Sequence, residues 1–226
     1  MRPLFLPALL ALSLAACNAP DQLNGADTSA KKSDTSSGPA QATIGASYFL
    51  EDLLDISSEA ELKERYGAEN VKRDTIWLGE GEFTIGTKLY PGSDKEVELS
   101  WRDTMKFEEL LSAKVEAKWT EGKREGANRW RSKTGIRLGS TSAELQELNG
   151  KPFKFLGFGW DYAGTLSNWE GGALDKKNVF VVLGEPATYD EKGYESLLGD
   201  KELKSDDVEV KKMNPVVVEL AVAPGK

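Results

Sequence analysis

Residues 138–152 read "LGSTSAELQELNGKP", and residues 57–67 read "SSEAELKERYG". Ala60–Gly67 and Ala143–Gly150 carry Ala, Glu, Leu, Glu and Gly at the same places, 83 positions apart. Ser57-Ser58 precede the first segment and Ser140-Thr141-Ser142 the second, and such hydroxyls cap exposed N–H groups at a helix start. Glutamates suit the positive end of a helix, and the closing glycine suits a left-handed C-terminal cap. Each segment therefore predicts a short helix with its own start and stop.

The segments after each helix read as sheet. After the first come "NVKRDTIWLGEGE", "FTIGTKLYPGS" and "DKEVELSWRD". In the third, Val97, Leu99 and Trp101 alternate with Glu96, Glu98 and Ser100, the period-2 pattern of a half-buried strand. Pro91-Gly92 marks the turn before it. After the second helix come "KPFKFLGFGWDYAG", "TLSNWEGG" and "KNVFVVLG", and "PVVVELAVA" closes the chain. "AKVEAKW" is expected to pair with "NRWRSKTGI" through "TEGKREG". The predicted fold is α+β, mostly β with few short helices, in two helix-plus-antiparallel-sheet repeats spanning 44–134 and 135–226.

Gly139, Thr141, Leu145, Leu148, Gly150 and Pro152 form a unit that resembles one found in BamE-type outer-membrane assembly lipoproteins. A tandem of such units is also similar to β-lactamase inhibitory protein. The resemblance implies a binding module. It carries structural positions only, and a shared fold does not transfer function.

The N-terminus addresses the compartment. Met1-Arg2 is a short positive start, and "LFLPALLALSLAA" has the length of a signal-peptide core, too short for a membrane span. It ends in Leu14-Ala15-Ala16-Cys17, which resembles the lipobox of bacterial lipoproteins. That resemblance implies a signal peptide over 1–16, acylation of Cys17 and anchoring in a membrane. Asn18, where an aspartate would favour inner-membrane retention, implies the outer membrane, with the periplasmic face favoured. Cys17 is the single cysteine, so no disulfide can form within one chain. Residues 17–43 then read as lipidated cysteine and flexible tether. This stretch lacks aromatics and is rich in Ser, Thr, Ala, Asp and Gly, so it cannot bury enough apolar surface to order itself. About 25 residues of such coil span roughly 25–30 Å.

Composition narrows the chemistry. A net charge of −8 disfavours nucleic acid and anionic lipid surfaces as partners. The chain has no histidine, which removes Ser-His-Asp catalysis, histidine general bases and the common zinc sites. Glu80-Gly81-Glu82 and Asp206-Asp207 do not match a calcium loop with alternating oxygen ligands. No metal and no cofactor is expected.

The aromatic run "KPFKFLGFGWDYAGTLSNWEGG", Lys151–Gly172, is the candidate binding stretch. Strict alternation places Phe153 and Phe155 opposite Leu156, Phe158, Trp160 and Tyr162. A bulge at Gly157 would instead bring Phe153, Phe155, Phe158, Trp160 and Tyr162 to one face. Phenylalanine offers only apolar area and is expected in the core. Trp160, Tyr162 and Trp169 carry a polar tip and are the candidate ligand- or partner-binding residues. Trp77, Trp101 and Trp119 sit on alternating apolar faces and are expected in the core. Trp130, between Arg129 and Arg131, is expected in a surface cation–π pair. The reading these residues favour is a lipid-anchored envelope binding or scaffold protein without catalysis, its partner another envelope protein or a glycan. A second is a carbohydrate- or peptidoglycan-binding module. A third, placed last, is a hydrolase using Asp161 and Glu170 as acid and base.

Overall fold

The computed structural model describes residues 48–120, 123–125 and 128–225. The expected signal peptide, Cys17 and tether lie outside the described residues, as does the Trp119 side chain. The fold is α+β and mostly β, with a few short helices on antiparallel sheets.

Helix α1, Glu59–Tyr66, begins at Ser58, whose hydroxyl accepts the Glu61 N–H. Helix α2, Ser142–Asn149, begins at Thr141 with a reciprocal capping box to Glu144 and ends at left-handed Gly150. In α1 the equivalent Glu61 reaches back to Ser57 N–H and Oγ, which holds its carboxyl down at about 2. The main-chain entries of the two helices match as well. Glu59 N–H donates to Phe107 O and Glu109 N–H to Ser57 O; Ser142 N–H donates to Pro215 O and Val217 N–H to Ser140 O.

Strands β1 (Val71–Gly79), β2 (Glu82–Leu89), β3 (Val97–Asp103) and β4 (Glu108–Glu116) follow α1 as an antiparallel meander. After α2 come β7 (Lys154–Leu156), β8 (Leu166–Asn168), β9 (Val179–Gly184), α3 (Glu191–Glu195), β10 (Glu202–Lys204), α4 (Val208–Met213) and β11 (Val216–Val222). The six-stranded sheet runs β1-β2-β3-β4-β11-β9, and a three-stranded sheet runs β10-β7-β8. The large sheet thus takes strands from both sides of position 134. The two sheets meet where Thr165 bridges Val182 and Leu183 N–H donates to Gly164 O.

The segment "AKVEAKW" does not pair with "NRWRSKTGI". It belongs to β4, between β3 and β11, and to β5 (Lys118–Thr120), which forms a small hairpin with β6 (Lys123–Glu125). Lys123–Glu125 of the charged stretch thus pairs with β5, and β11 takes the place expected for the other segment because its run of Val, Leu and Ala can be buried on the sheet's inner face.

Register assigns the two faces of the large sheet. Leu89, Val97, Leu99, Trp101, Ala113, Val115, Val181, Leu220 and Val222 are buried on one face. Leu50 and Leu53 of a 3₁₀ turn, Leu62 of α1, Leu145 of α2 and Val210 of α4 join the same core. Across the other face runs a row of alternating charge, Asp74–Lys88–Glu98–Lys114–Glu219, one residue from each of β1, β2, β3, β4 and β11, with N–O distances of 3.6, 3.6, 3.2 and 3.4 Å.

Candidate functional site

The phenylalanines of the aromatic run are core. Phe153, Phe155 and Phe158 are at most 1 % exposed, with ring centroids 6.1 and 5.9 Å apart along the series. The strand ends at Leu156. A Cβ on Gly157 would stand 2.5 Å from Gly199 O, so the backbone passes against the 197–199 loop there. Phe158 bridges to Leu198, and left-handed Gly159 then turns the chain outward. Neither strict alternation nor one shared aromatic face describes the run. The phenylalanines go in and the next aromatics leave the strand.

Trp160 is half-buried and donates its indole N–H to Gly157 O at 2.8 Å. Tyr162 is 47 % exposed and meets Trp160 edge-on, with centroids 5.4 Å apart. Its hydroxyl donates to Glu80 at 2.6 Å, and that carboxylate raises the phenol above the usual tyrosine range.

Trp169 is not a surface residue. It is 7 % exposed and packs on Phe153 at 5.4 Å. Gly172 helps to bring this about. The buried Asn149 amide donates to Trp169 O and Lys151 O, and its carbonyl accepts Leu174 N–H. A Cβ on Gly172 would stand 2.1 Å from Asn149 Oδ1, so the glycine makes room for the amide that folds the loop inward.

Two other tryptophans depart from expectation. Trp130 is 3 % exposed, donates to Lys95 O and meets Tyr48 edge-on, while Arg131 lies over Phe49 instead. Trp77 is 62 % exposed. It pairs with Phe83 across the β1–β2 hairpin, ring to ring at 5.6 Å, beside exposed Leu78 and Ile85. Trp101 is core, as its alternation implied. The hairpin turns at Glu80-Gly81, both with positive φ, as a type I′ hairpin turn needs. Tyr162 therefore brings the aromatic loop against the tip of this hairpin, joining residues the sequence separates widely. The sequence signal was the clustering of Trp, Leu, Phe and Ile around Gly-Glu-Gly, where a turn carries the strands past the reach of a helix as short as α1.

The charged face holds a cleft of about 440 Å³ lined by Lys88, Glu96, Glu98, Lys114, Glu116 and Lys118. Burial lowers the Lys114 ammonium, but Glu219, Glu98 and Glu116 outweigh it and hold it above the usual lysine range. Glu219 is raised, by burial first and by its neighbours Glu116 and Glu98. Glu170, the expected partner of Asp161, is tied to Lys154 at 3.3 Å, which also holds Glu202.

Among the described residues no group of three or more acidic or cysteine side chains is placed to hold a metal ion, and no helix is long and apolar enough to cross a membrane. No protein-family model, curated protein or solved structure matches the chain.

Proposed function

We propose that the chain is a lipid-anchored binding protein of the cell envelope, without catalytic activity, built from two helix-plus-sheet units related by duplication. The observation that carries the binding role is the Tyr162–Glu80 contact, which gathers Trp77, Phe83, Trp160 and Tyr162 at one accessible end. Large aromatics left in water suit recognition, and the tips of Trp160 and Tyr162 are already fixed by hydrogen bonds, so little of their side-chain entropy is lost on binding. The glycan alternative rests on Trp160 and Tyr162 alone, since Trp169 is buried.

The duplication is supported by the matching helix entries. The donor positions 59 and 142 and the acceptor positions 57 and 140 keep the offset of 83 found in the sequence repeat. β4 and β11, which receive these entries, are neighbours in the sheet and antiparallel, and β3 and β9 flank them.

The anchor is supported by Leu14-Ala15-Ala16-Cys17 after an apolar run. Buried acyl methylenes contribute about 0.8 kcal/mol each, so several chains together anchor a protein stably in a bilayer. Fractionation of cells expressing Cys17→Ser tests it: the variant should be soluble or remain unprocessed. A cleaved variant that still sediments with membranes would remove the anchor.

A further inference from the structure

Resting on the proposed binding role, we infer that the docking surface is the end of the β1–β2 hairpin, Trp77, Phe83 and Ile85 with Tyr162 beside them. Its occupant is a protein segment that presents aliphatic or aromatic side chains among lysines and arginines.

The patch continues the core face of the sheet. Trp77, Phe83 and Ile85 share a face with Arg73, Thr87 and Leu89 by register. As far as Arg73 and Thr87 that face is occupied, because Glu59 of α1 reaches both residues. Beyond them the same face lies open, with Trp77 62 %, Phe83 58 % and Ile85 44 % exposed. Single exposed apolar residues are ordinary, whereas adjoining large ones mark a contact surface. Tryptophan is also enriched among the residues that dominate binding energy.

The hairpin is braced to keep its shape without a partner. Ile76 is 2 % exposed and lies against Gly86, where a Cβ would stand 2.6 Å from Ile76 Cγ1 and from Leu99 O. Tyr162 ties the tip to the β7–β8 loop.

Charge selects the occupant. No lysine or arginine occurs from Thr75 to Thr87, or from Phe155 to Asp175. These two stretches meet at the Tyr162–Glu80 bond, and Glu80, Glu82 and Asp161 all act on the Tyr162 phenol. At the hairpin tip the rim is therefore acidic, the nearest cation on this face, Arg73, being engaged by Glu59. A second copy would set one acidic rim against another, and an anionic bilayer would be repelled. The chain's own residues 18–47 contain no aromatic side chain to fill the patch. They join the fold at Tyr48, beside Trp130 and the Lys95 carbonyl of the β2–β3 connection, at the opposite end of β2 from the hairpin turn. A partner with basic groups around an apolar centre complements both features.

The test is selection of a random peptide library displayed on phage against the full-length chain in detergent. Selected peptides should combine Leu, Ile, Phe or Trp with Lys or Arg. Their binding should fall at least about tenfold for Trp77→Ala/Phe83→Ala, a loss a single hot spot can produce, and stay unchanged for Leu111→Ala/Phe180→Ala. Glu80→Lys/Glu82→Lys should shift selection toward acidic peptides. Peptides that bind the hairpin variant as tightly as the parent would leave a binding protein whose docking surface lies elsewhere, and the hairpin assignment falls. A selection that yields no peptide, or a dimer in sedimentation velocity that the hairpin variant abolishes, also overturns it.

Discussion

Glu116 and Glu219 stand directly opposite each other where β4 pairs with β11, and both carboxylates rest on Lys114 Nζ, at 3.5 and 3.4 Å. Like charges directly opposed across strands destabilise a sheet, so one lysine neutralises a conflict the register creates. Burial, with Glu116 and Glu98 nearby, keeps the Glu219 carboxyl above its ordinary 4.5. Between that value and the raised one, the folded chain holds a proton that the unfolded chain releases. The contribution of Glu219 to stability therefore falls as pH rises through this window and stays low above it. Urea midpoints measured from acid pH to neutrality should show Glu219→Gln gaining on the parent as pH rises. Lys114→Met, which leaves the carboxylates facing one another, should cost about 2 kcal/mol or more at neutral pH. A pH-independent difference between Glu219→Gln and parent would remove the coupling.

Glu59 has the opposite sign. It is 3 % exposed, accepts from Arg73 Nε at 2.7 Å and pairs with Lys63, and Thr87 links it to the Trp101 indole N–H. Burial pushes its carboxyl up, but Arg73 and Lys63 outweigh burial and hold it below the usual range. Its stabilisation is present above the unfolded value and is lost as pH falls through the folded one. Glu59→Gln should cost about 1–3 kcal/mol at neutral pH, because charge-assisted hydrogen bonds to a buried group are lost. The cost should shrink in acid. Equal cost at both ends of the range would mean that the side chain acts by packing alone.

The aromatic run divides by residue type. Phe153→Ala and Phe155→Ala should each cost about 3–5 kcal/mol, as large truncations in a filled core do. Trp169→Ala belongs with them. Trp77→Ala and Tyr162→Ala leave no buried cavity and should cost about 1 kcal/mol or less. Thermal melts of the five variants decide the division. If Tyr162→Ala or Trp77→Ala unfolds as readily as the phenylalanine variants, the hairpin end is part of the core.

Helix starts, helix stops and the β1–β3 meander were legible because local chemistry dictates them. Ser58, Thr141, Gly150 and Pro91-Gly92 act on their immediate neighbours. Burial of Phe153 and Phe155 followed from side-chain type. The features that were not legible depend on distant partners. Trp77 and Trp101 sit in similar alternating patterns, and only the extent of the covering layer separates an exposed residue from a buried one. The polar tip of Trp169 pointed to a binding residue, but Asn149, twenty positions back, folds its loop inward. The neighbour of β4 proved to be β11, over a hundred positions away in sequence, a pairing that no turn signal announces.

Gly164 marks the joint between the two sheets. Its φ is 72°, and an added Cβ would stand 1.8 Å from Leu183 O, a backbone atom that cannot swing aside. Leu183 N–H also donates to Gly164 O at 2.9 Å, so any retreat breaks the hydrogen bond that couples β9 to the β7–β8 unit. Gly150 has a similar φ of 70° but open space around its Cβ position. Gly150→Ala should therefore cost only the left-handed strain, about 1–2 kcal/mol. Gly164→Ala adds a steric clash to that strain and should cost about 3 kcal/mol or more. It should also raise amide hydrogen exchange at Thr165 and Leu183 above that of the β3–β4 pair. Equal costs for the two substitutions, with exchange at Leu183 unchanged, would mean that the sheets are joined elsewhere.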